Sequence, residues 1–597
     1  MDDALSGCRW LLPLDGTRLP DKKLIGGKGW SIAHMLSLGL PVPPAFVITT
    51  EACAAYLDQG SLPEDLEEEL ASAMRWLEEK SGRSYGHGRS PLLVSVRSGA
   101  PISMPGMMDT VLNLGINAQT MTALAEESED SRFARDTFRR FHELFGEIVL
   151  KASVPELASD DDLADWLARI ERSAGRAIPE TPMGQLRATV EAVFQSWNAR
   201  RAKRYRKHHG IADDLGTAVT VQAMVFGNLD GNSGTGVLFS RNPLTGEPEP
   251  YGEYLRCAQG EDVVSGKFTP EHLDEMKTAV PEAYAGLLRA SRSLEDANRE
   301  AQDIEFTVQH GRLYLLQSRT AKRSPAAAVR IAVDMVREGM ISLEEATQRI
   351  TPDQVHSILS PRLAGGAAEG ATVLASGLGV SHGIGVGTVV TSADEAESRA
   401  QAGDDMVLAT ATTSPEDVHG MLVARAVITE HGGSTSHAAV VGRALGLPSV
   451  VGCGPGTVTG LVGRVVTVDG ENGRIYDGAL EVVNPCETQD QRLDDLLAWA
   501  RQHSPLAVYR DAEAPEDVLD LEGVDDAADP ANLPALIQGS RGVRGGSIAS
   551  EEGVRAALDA GVEYIVGEPT LPILLAALQA DTPLPPSAQQ SSLNENT

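Results

Sequence analysis

The sequence predicts a multidomain chain of mixed α+β and α/β class, on three observations. Strand-like runs stand at both ends of the first 325 or so residues and enclose a long helical stretch. From Ala371 to about Val483 the texture turns rich in Gly, Val and Thr, with many short strands. After residue 490, helical and strand-like runs alternate. At roughly 100–200 residues per domain, a chain of 597 residues suggests three to five domains.

Taken in chain order, Ala45–Thr49 (AFVIT) and Leu92–Val96 (LLVSV) read as strands between Gly/Pro turns. From about 117 to 209, charged and apolar residues interleave at three- and four-residue spacing, the pattern of amphipathic helices. Strand signals return at Ala218–Phe226, Gly236–Phe239 and Arg312–Gln317, and Glu305–Gln309 followed by His310-Gly311 reads as a hairpin into the last of these. Residues 1–325 thus read as one large α+β unit with a helical insert. Residues 326–370 carry good helix formers at helical spacing and read as a helical linker. A compact second domain spans 371–485, with one clear helix after His437. A helix opening DQRLDDLL, helical Gly553–Ala560, strand Tyr564–Val566 and helical Ile573–Leu578 make a small α/β tail over 486–580. Residues 581–597 are rich in Pro, Ser, Gln and Asn, and disorder is expected there.

The net charge of −33 argues against nucleic acid or an anionic membrane as the main partner, since both reward Lys/Arg surfaces. It leaves nucleotides open, because they need only a local cluster of donors and cations. The five cysteines, Cys8, Cys53, Cys257, Cys453 and Cys486, are scattered without Cys-x-x-Cys spacing. That disfavours a disulfide framework or zinc site and points to a reducing compartment. The opening Met-Asp-Asp-Ala has no basic stretch leading into an apolar run, and no segment approaches 18 uninterrupted apolar residues. A cytoplasmic protein is expected.

The segment with most chemistry is Thr429-Glu-His431-Gly432-Gly433-Ser434-Thr435-Ser436-His437-Ala-Ala. Two glycines free the backbone, and Ser434, Thr435 and Ser436 are N-cap residues for a helix beginning near His437. Gly446 and Pro448 end that helix. A histidine at a helix N-terminus lies where N–H groups and the dipole favour a phosphate, and a neutral imidazole is a competent nucleophile. On residue types alone, a capping loop whose histidine fills space stands beside that reading.

In the first unit, Gly26-Gly27-Lys28-Gly29 combines a glycine turn, which presents N–H groups, with a cation for phosphates; a plain turn with a solvated lysine is the alternative. Arg97, at the end of the strand LLVSV, is suited to gripping phosphate or to a surface ion pair. Ser103–Thr110 (SMPGMMDT) reads as a mobile cover or as core filling. Asp303 and Glu305 share one face of a strand, as do Gln317 and Arg319. If the two strands pair, the four groups converge, and their oxygens suit Mg²⁺ bridging the phosphates of ATP; an ordinary exposed hairpin face is the other reading.

Gly432–Ala439 (GGSTSHAA) resembles the phosphohistidine segment of the pyruvate, phosphate dikinase family, whose signature is Gly-Gly-x-Thr-Ser-His-Ala-Ala. Thr413–Asp417 (TSPED) and Thr467–Gly470 (TVDG) are similar to that family too, while His382 and Ser434 depart from its usual Pro and Met. The first 325 residues resemble the family's ATP-grasp nucleotide-binding part, with matches that include Arg132–Leu150, Gly216–Asn228 and Gln302–Thr307. The resemblance implies an ATP-grasp domain with a helical insert, followed by a swivelling β/β/α phosphohistidine domain. It implies that Lys28, Arg97, Asp303, Glu305, Gln317 and Arg319 serve the nucleotide, and that Gln222, Met224 and Val225 hold the adenine. Glu305 and Gln317, with Asp303 close by, become the expected Mg²⁺ ligands, and His437 the phosphoryl carrier, with Arg97 and Arg319 catalytic beside it. Thr435, two residues before His437, lies where some family members are regulated by phosphorylation; a capping hydroxyl is its other reading.

The implied activity converts ATP, phosphate and pyruvate to AMP, pyrophosphate and phosphoenolpyruvate. The family's acceptor barrel needs about 250 residues, more than the tail after 485 offers. A separate barrel protein or a homodimer partner is therefore expected to take part. Two further readings remain: the same chemistry with another small-molecule or protein acceptor, and a non-catalytic nucleotide-responsive binding protein.

Overall fold

The computed structural model describes residues 5, 7–102, 104, 110–157, 162–208, 210–264, 271–359, 362–364, 366–381, 383–445, 447–483, 485–522 and 524–581. His382, Gly446, most of the Ser103–Thr110 loop and nearly all of the tail expected to be disordered lie outside the described residues.

Two five-stranded antiparallel sheets build the first unit. The first runs in the order Leu11–Leu14, Ala45–Ile48, Ala218–Ala223, Val94–Gly99, Thr110–Leu114. The second runs Glu271–His272, Tyr251–Arg256, Gly234–Phe239, Gln302–Gln309, Arg312–Thr320. Side chains alternate across a strand, so each sheet has an apolar face and a face free for chemistry. In the first sheet Val94, Val96, Val219 and Val221 pack with Phe141, Trp166 and Val190 of the helical insert, which spans Ala118–His208. Ser95, Arg97, Thr220 and Gln222 therefore point the other way. In the second sheet Leu238, Ile304 and Phe306 pack on the helices Lys22–Ser37 and Pro281–Asn298. The alternate residues, Asp303 and Glu305 among them, face away from that core.

The second domain is an eight-stranded mixed sheet. Its centre is four parallel strands, Ile384–Val390, Met406–Thr410, Ala426–Thr429 and Ser449–Val451. Parallel neighbours need crossover connections, and the helices Ala393–Gln401, Val418–Val423 and His437–Ala444 supply them. The sequence reading of a single clear helix here is thus too sparse. His437 opens the helix that follows Ala426–Thr429, at the carboxyl end of a parallel strand, where open α/β sheets bind ligands.

Residues expected only to connect do more than that. Helices Pro325–Arg337, Leu343–Arg349 and Pro352–Ile358 share one apolar core with Gln491–His503 and Thr570–Asp581, through Val333, Val355, Leu496, Leu497 and Leu574. The linker and the tail are one packed body. The tail's four strands, Ala507–Tyr509, Tyr564–Val566, Gly542–Arg544 and Val518–Asp520, form an open parallel sheet. Among the described residues no helix is long and apolar enough to cross a membrane.

Candidate functional site

The hairpin register brings the expected hairpin groups together. Asp303 stands opposite Arg319, and Glu305 opposite Gln317. Across the neighbouring strands the rows extend as Tyr251, Phe239, Asp303, Arg319 and, two residues along, Glu253, Val237, Glu305, Gln317. Cross-strand partners share a face, so all eight side chains stand on one side of the second sheet.

Charge pairing orders this face. Arg319 Nε donates to Asp303 Oδ2 over 2.7 Å. Arg97 reaches across from the first sheet, donating to Gln317 Oε1 at 3.0 Å and to Glu305 Oε2 at 3.2 Å. Its position in the middle of the strand Val94–Gly99, rather than at a strand end, aims it at the hairpin instead of at solvent. Burial would raise the Glu305 carboxyl, but Arg97, Arg319 and Lys28 together hold it below its usual range. Burial wins at Asp303, whose pKa is raised despite Arg319.

Lys28 sits on the helix Lys22–Ser37, which bends at Gly26 (φ 70°). A Cβ at Gly26 would lie 1.8 Å from the carbonyl oxygen of Gly99, so only glycine lets this turn press against the Arg97 strand. The Gly27 N–H donates to the Ala100 carbonyl at 2.9 Å, so that donor is taken by the protein rather than presented to a phosphate, contrary to the sequence reading. Burial, then Arg97 and Arg319, push the Lys28 pKa down to about 7, with Glu305 opposing. A lysine held so far from its ordinary value marks a site short of negative charge.

Gln222 is buried on the Arg97 face of the first sheet and donates to the Pro43 carbonyl at 3.3 Å. Met224 and Val225 lie just past the end of that strand, half-buried, with the Met224 N–H bonded to the Leu93 carbonyl at 2.9 Å.

Ser436 is the N-cap residue of the His437 helix, but its side chain caps nothing. The expected capping hydroxyls are turned outward instead: Ser434 Oγ and Thr435 Oγ1 donate to the Glu253 carboxylate, each at 2.7 Å, and the Ser434 N–H adds a third bond at 3.0 Å. A Cβ at Gly433 would stand 2.8 Å from Glu253 Oε1, so the glycine admits the carboxylate. Glu253 thereby holds the His437 loop on the sheet face that carries Asp303 and Glu305. The imidazole itself has a backbone hydrogen bond at Ser414, while Nε2 is buried without a partner. Ser414 follows the adjacent parallel strand, so the TSPED segment is the wall behind the ring. Burial and then Lys322 lower the His437 pKa, with Asp417 and Ser414 opposing, which keeps the ring neutral.

Glu253, Lys322 and Arg443 were not singled out from the sequence. Glu253 had a signal, an acidic residue in an alternating strand, but its partners are 181 and 182 residues away. Among the described residues no three His, Cys, Asp or Glu side chains form a metal cage. Mg²⁺ needs less, since it binds through one or two carboxylates plus substrate phosphates. Asp303 Oδ1, buried without a partner beside Glu305 and Gln317, fits that requirement.

Residues 22–62 and 56–285 match the family described as "Pyruvate phosphate dikinase, AMP/ATP-binding domain", and residues 402–473 match "PEP-utilising enzyme, mobile domain". The chain is 43% identical over 535 residues to "Pyruvate, phosphate dikinase 2" of Zea mays, covering 83% of this chain and 60% of that protein. It is 42% identical over 544 residues to "Pyruvate, phosphate dikinase" of Rhizobium meliloti (strain 1021), with the same two shares, 83% and 60%. A Clostridium symbiosum protein of that name is 39% identical over 547 residues, covering 86% of this chain and 62% of its own length. The chain thus spans about three-fifths of the length of these relatives.

Proposed function

The chain belongs to the pyruvate, phosphate dikinase family, and from that premise we propose that it loads a phosphoryl group from ATP onto His437 for delivery to pyruvate. The observation that carries this reading is the shared sheet face: the Arg97, Glu305, Gln317, Asp303, Arg319 set and the His437 loop meet there, joined by Glu253.

In this reading the first unit is an ATP-grasp domain. Gln222, Met224 and Val225 hold the adenine, while Lys28, Arg97 and Arg319 take the phosphates. Glu305 and Gln317, with Asp303, would hold Mg²⁺, which neutralises charge on the polyphosphate. His437 Nε2, neutral and free of partners, attacks the β-phosphorus; the P–N bond forms as the bond to AMP breaks. The γ-phosphoryl passes to inorganic phosphate, so AMP and pyrophosphate leave and phosphohistidine remains. The helix N-terminus at His437 steadies the new charge.

The domain around His437 then swivels to the acceptor, releasing the Glu253 contacts. The four-stranded tail sheet is open, and in this reading pyruvate binds outside the described domains, on a further domain or another subunit. Incubation with ATP and phosphate should yield AMP and pyrophosphate and label His437 from β-labelled ATP. Label retained by His437→Ala would sink the carrier role. Phosphoenolpyruvate formed only when a barrel protein is added would support the separate acceptor.

A further inference from the structure

We propose that Arg443 and Lys322 form an oxyanion subsite, separate from the nucleotide-phosphate residues, that takes inorganic phosphate. The ligand's identity rests on the dikinase reading; the existence of an anion subsite does not.

Arg443 stands in the last turn of the helix His437–Ala444, where a cation ordinarily faces the helix C-terminus and water. Here it is 2% exposed, and Nε, Nη1 and Nη2 all lack a hydrogen-bond partner. The ring of Phe239 stands beside it, its centroid 5.9 Å from the guanidinium carbon, at the outer limit of a cation–π contact. Phe239 stands in register with Asp303, which stands in register with Arg319. The guanidinium is therefore laid over the same row of side chains that faces the nucleotide, and a helical side chain leans back toward the helix start, here His437.

A buried guanidinium with five donors and no acceptor is costly unless a charge meets it. The nearby carboxylates make no hydrogen bond to it, although Asp303, whose Oδ1 has no partner, and Glu253 both act on it. Asp303 already gives Oδ2 to Arg319, and Glu253 accepts three bonds from Ser434 and Thr435. Lys322, two residues past the end of the strand Arg312–Thr320, adds a second cation without an ion pair among the described residues. Burial and the neighbouring Arg319 and Arg443 push its pKa down to about 8, and burial lowers Arg443 to about 10. Lys322 also acts on His437, so it stands near the histidine as well as the guanidinium. Asp303 acts on Arg319, Lys322 and Arg443 alike, Glu305 also on Arg319 and Glu253 also on Arg443, yet none of these carboxylates hydrogen-bonds the Arg443 guanidinium. A tetrahedral oxyanion satisfies the donors and the charge, and Arg is the residue suited to grip it bidentately.

The test uses the full chain and measures binding of inorganic phosphate and of AMP, each alone, by titration calorimetry. Arg443→Met should weaken phosphate at least tenfold and Lys322→Met several-fold, with AMP affinity within twofold of the parent. Lys28→Met should do the reverse. Arg443→Met without phosphate should melt no lower than the parent, since it removes an uncompensated buried charge. Phosphate binding unchanged in Arg443→Met, or lost equally in Lys28→Met, overturns the proposal. So does a lower melting point of Arg443→Met, because the guanidinium would then be serving a contact within the protein. Phosphate bound at Arg443 in a chain that forms no AMP from ATP would uphold the subsite and refute the dikinase reading.

Discussion

Thr435 Oγ1 donates to Glu253 Oε2 over 2.7 Å, tying the residue two before His437 to the strand face that carries Glu305. Glu253 and Glu305 stand two strand spacings apart, about 10 Å. One carboxylate thus ties the histidine loop to the face that carries Glu305, Gln317 and Asp303. Glu253→Gln keeps an acceptor but loses the charge; hydrogen bonds to charged groups contribute roughly 1.5–3 kcal/mol each. His437 labelling from β-labelled ATP should fall at least tenfold, while AMP affinity, measured by calorimetry, stays unchanged. Gly433→Ala should act in the same direction, because its Cβ would lie 2.8 Å from Glu253 Oε1.

Phosphate on Thr435 would sit against that same carboxylate. Like charges at hydrogen-bond distance in a buried seam repel strongly. Thr435→Asp should abolish His437 labelling, and Thr435→Ser, which keeps the hydroxyl, should retain it. Thr435 is 7% exposed in the docked arrangement. Conditions that favour docking, such as bound nucleotide, should therefore slow modification of Thr435 by an added kinase, followed by mass spectrometry.

The hairpin was legible because a strand's two-residue period fixes which side chains share a face, so Asp303, Glu305, Gln317 and Arg319 could be placed from spacing alone. The start of the His437 helix was legible from its loop. Contacts between distant segments were not. Glu253 reads as an ordinary strand glutamate until the fold sets it against Ser434 and Thr435, and Arg443 reads as a C-terminal helix cation until docking buries it. The helix Ala393–Gln401 (ADEAESRAQ) escaped notice because its apolar positions are mere alanines, enough to cover a sheet but faint as a pattern. At Gly26 the motif was visible, but its use was not: the glycine is needed for contact with Gly99.

Lys28 gives a pH signature. Its pKa is about 7 in the free protein against an ordinary 10.5. The unfolded chain keeps the proton up to the higher value, so the destabilisation from this group is fully present below pH 7 and is relieved progressively between pH 7 and 10.5. Bound polyphosphate favours the charged lysine, so nucleotide binding above pH 7 should take up a proton and weaken as pH rises. Calorimetry in two buffers of different ionisation heat should show that uptake at pH 8, and Lys28→Met should remove it. Equal heats in both buffers for the parent would refute the assignment.

The His437 ring offers two handles of opposite sign. Burial and Lys322 lower its pKa below the ordinary 6.5, and Asp417 opposes them. In the proposed transfer the neutral imidazole is the nucleophile, so labelling of His437 should fall on the acid side with an apparent pKa under 6.5. Lys322→Met removes a neighbouring positive charge and should move that pKa up, narrowing the active range. Asp417→Asn removes the opposing negative charge and should move it down, preserving activity at lower pH. Nitrogen-15 titration of the imidazole in the free chain reads both shifts without turnover. Shifts of the same sign in the two variants would mean that a change in burial, and not charge, governs the ring.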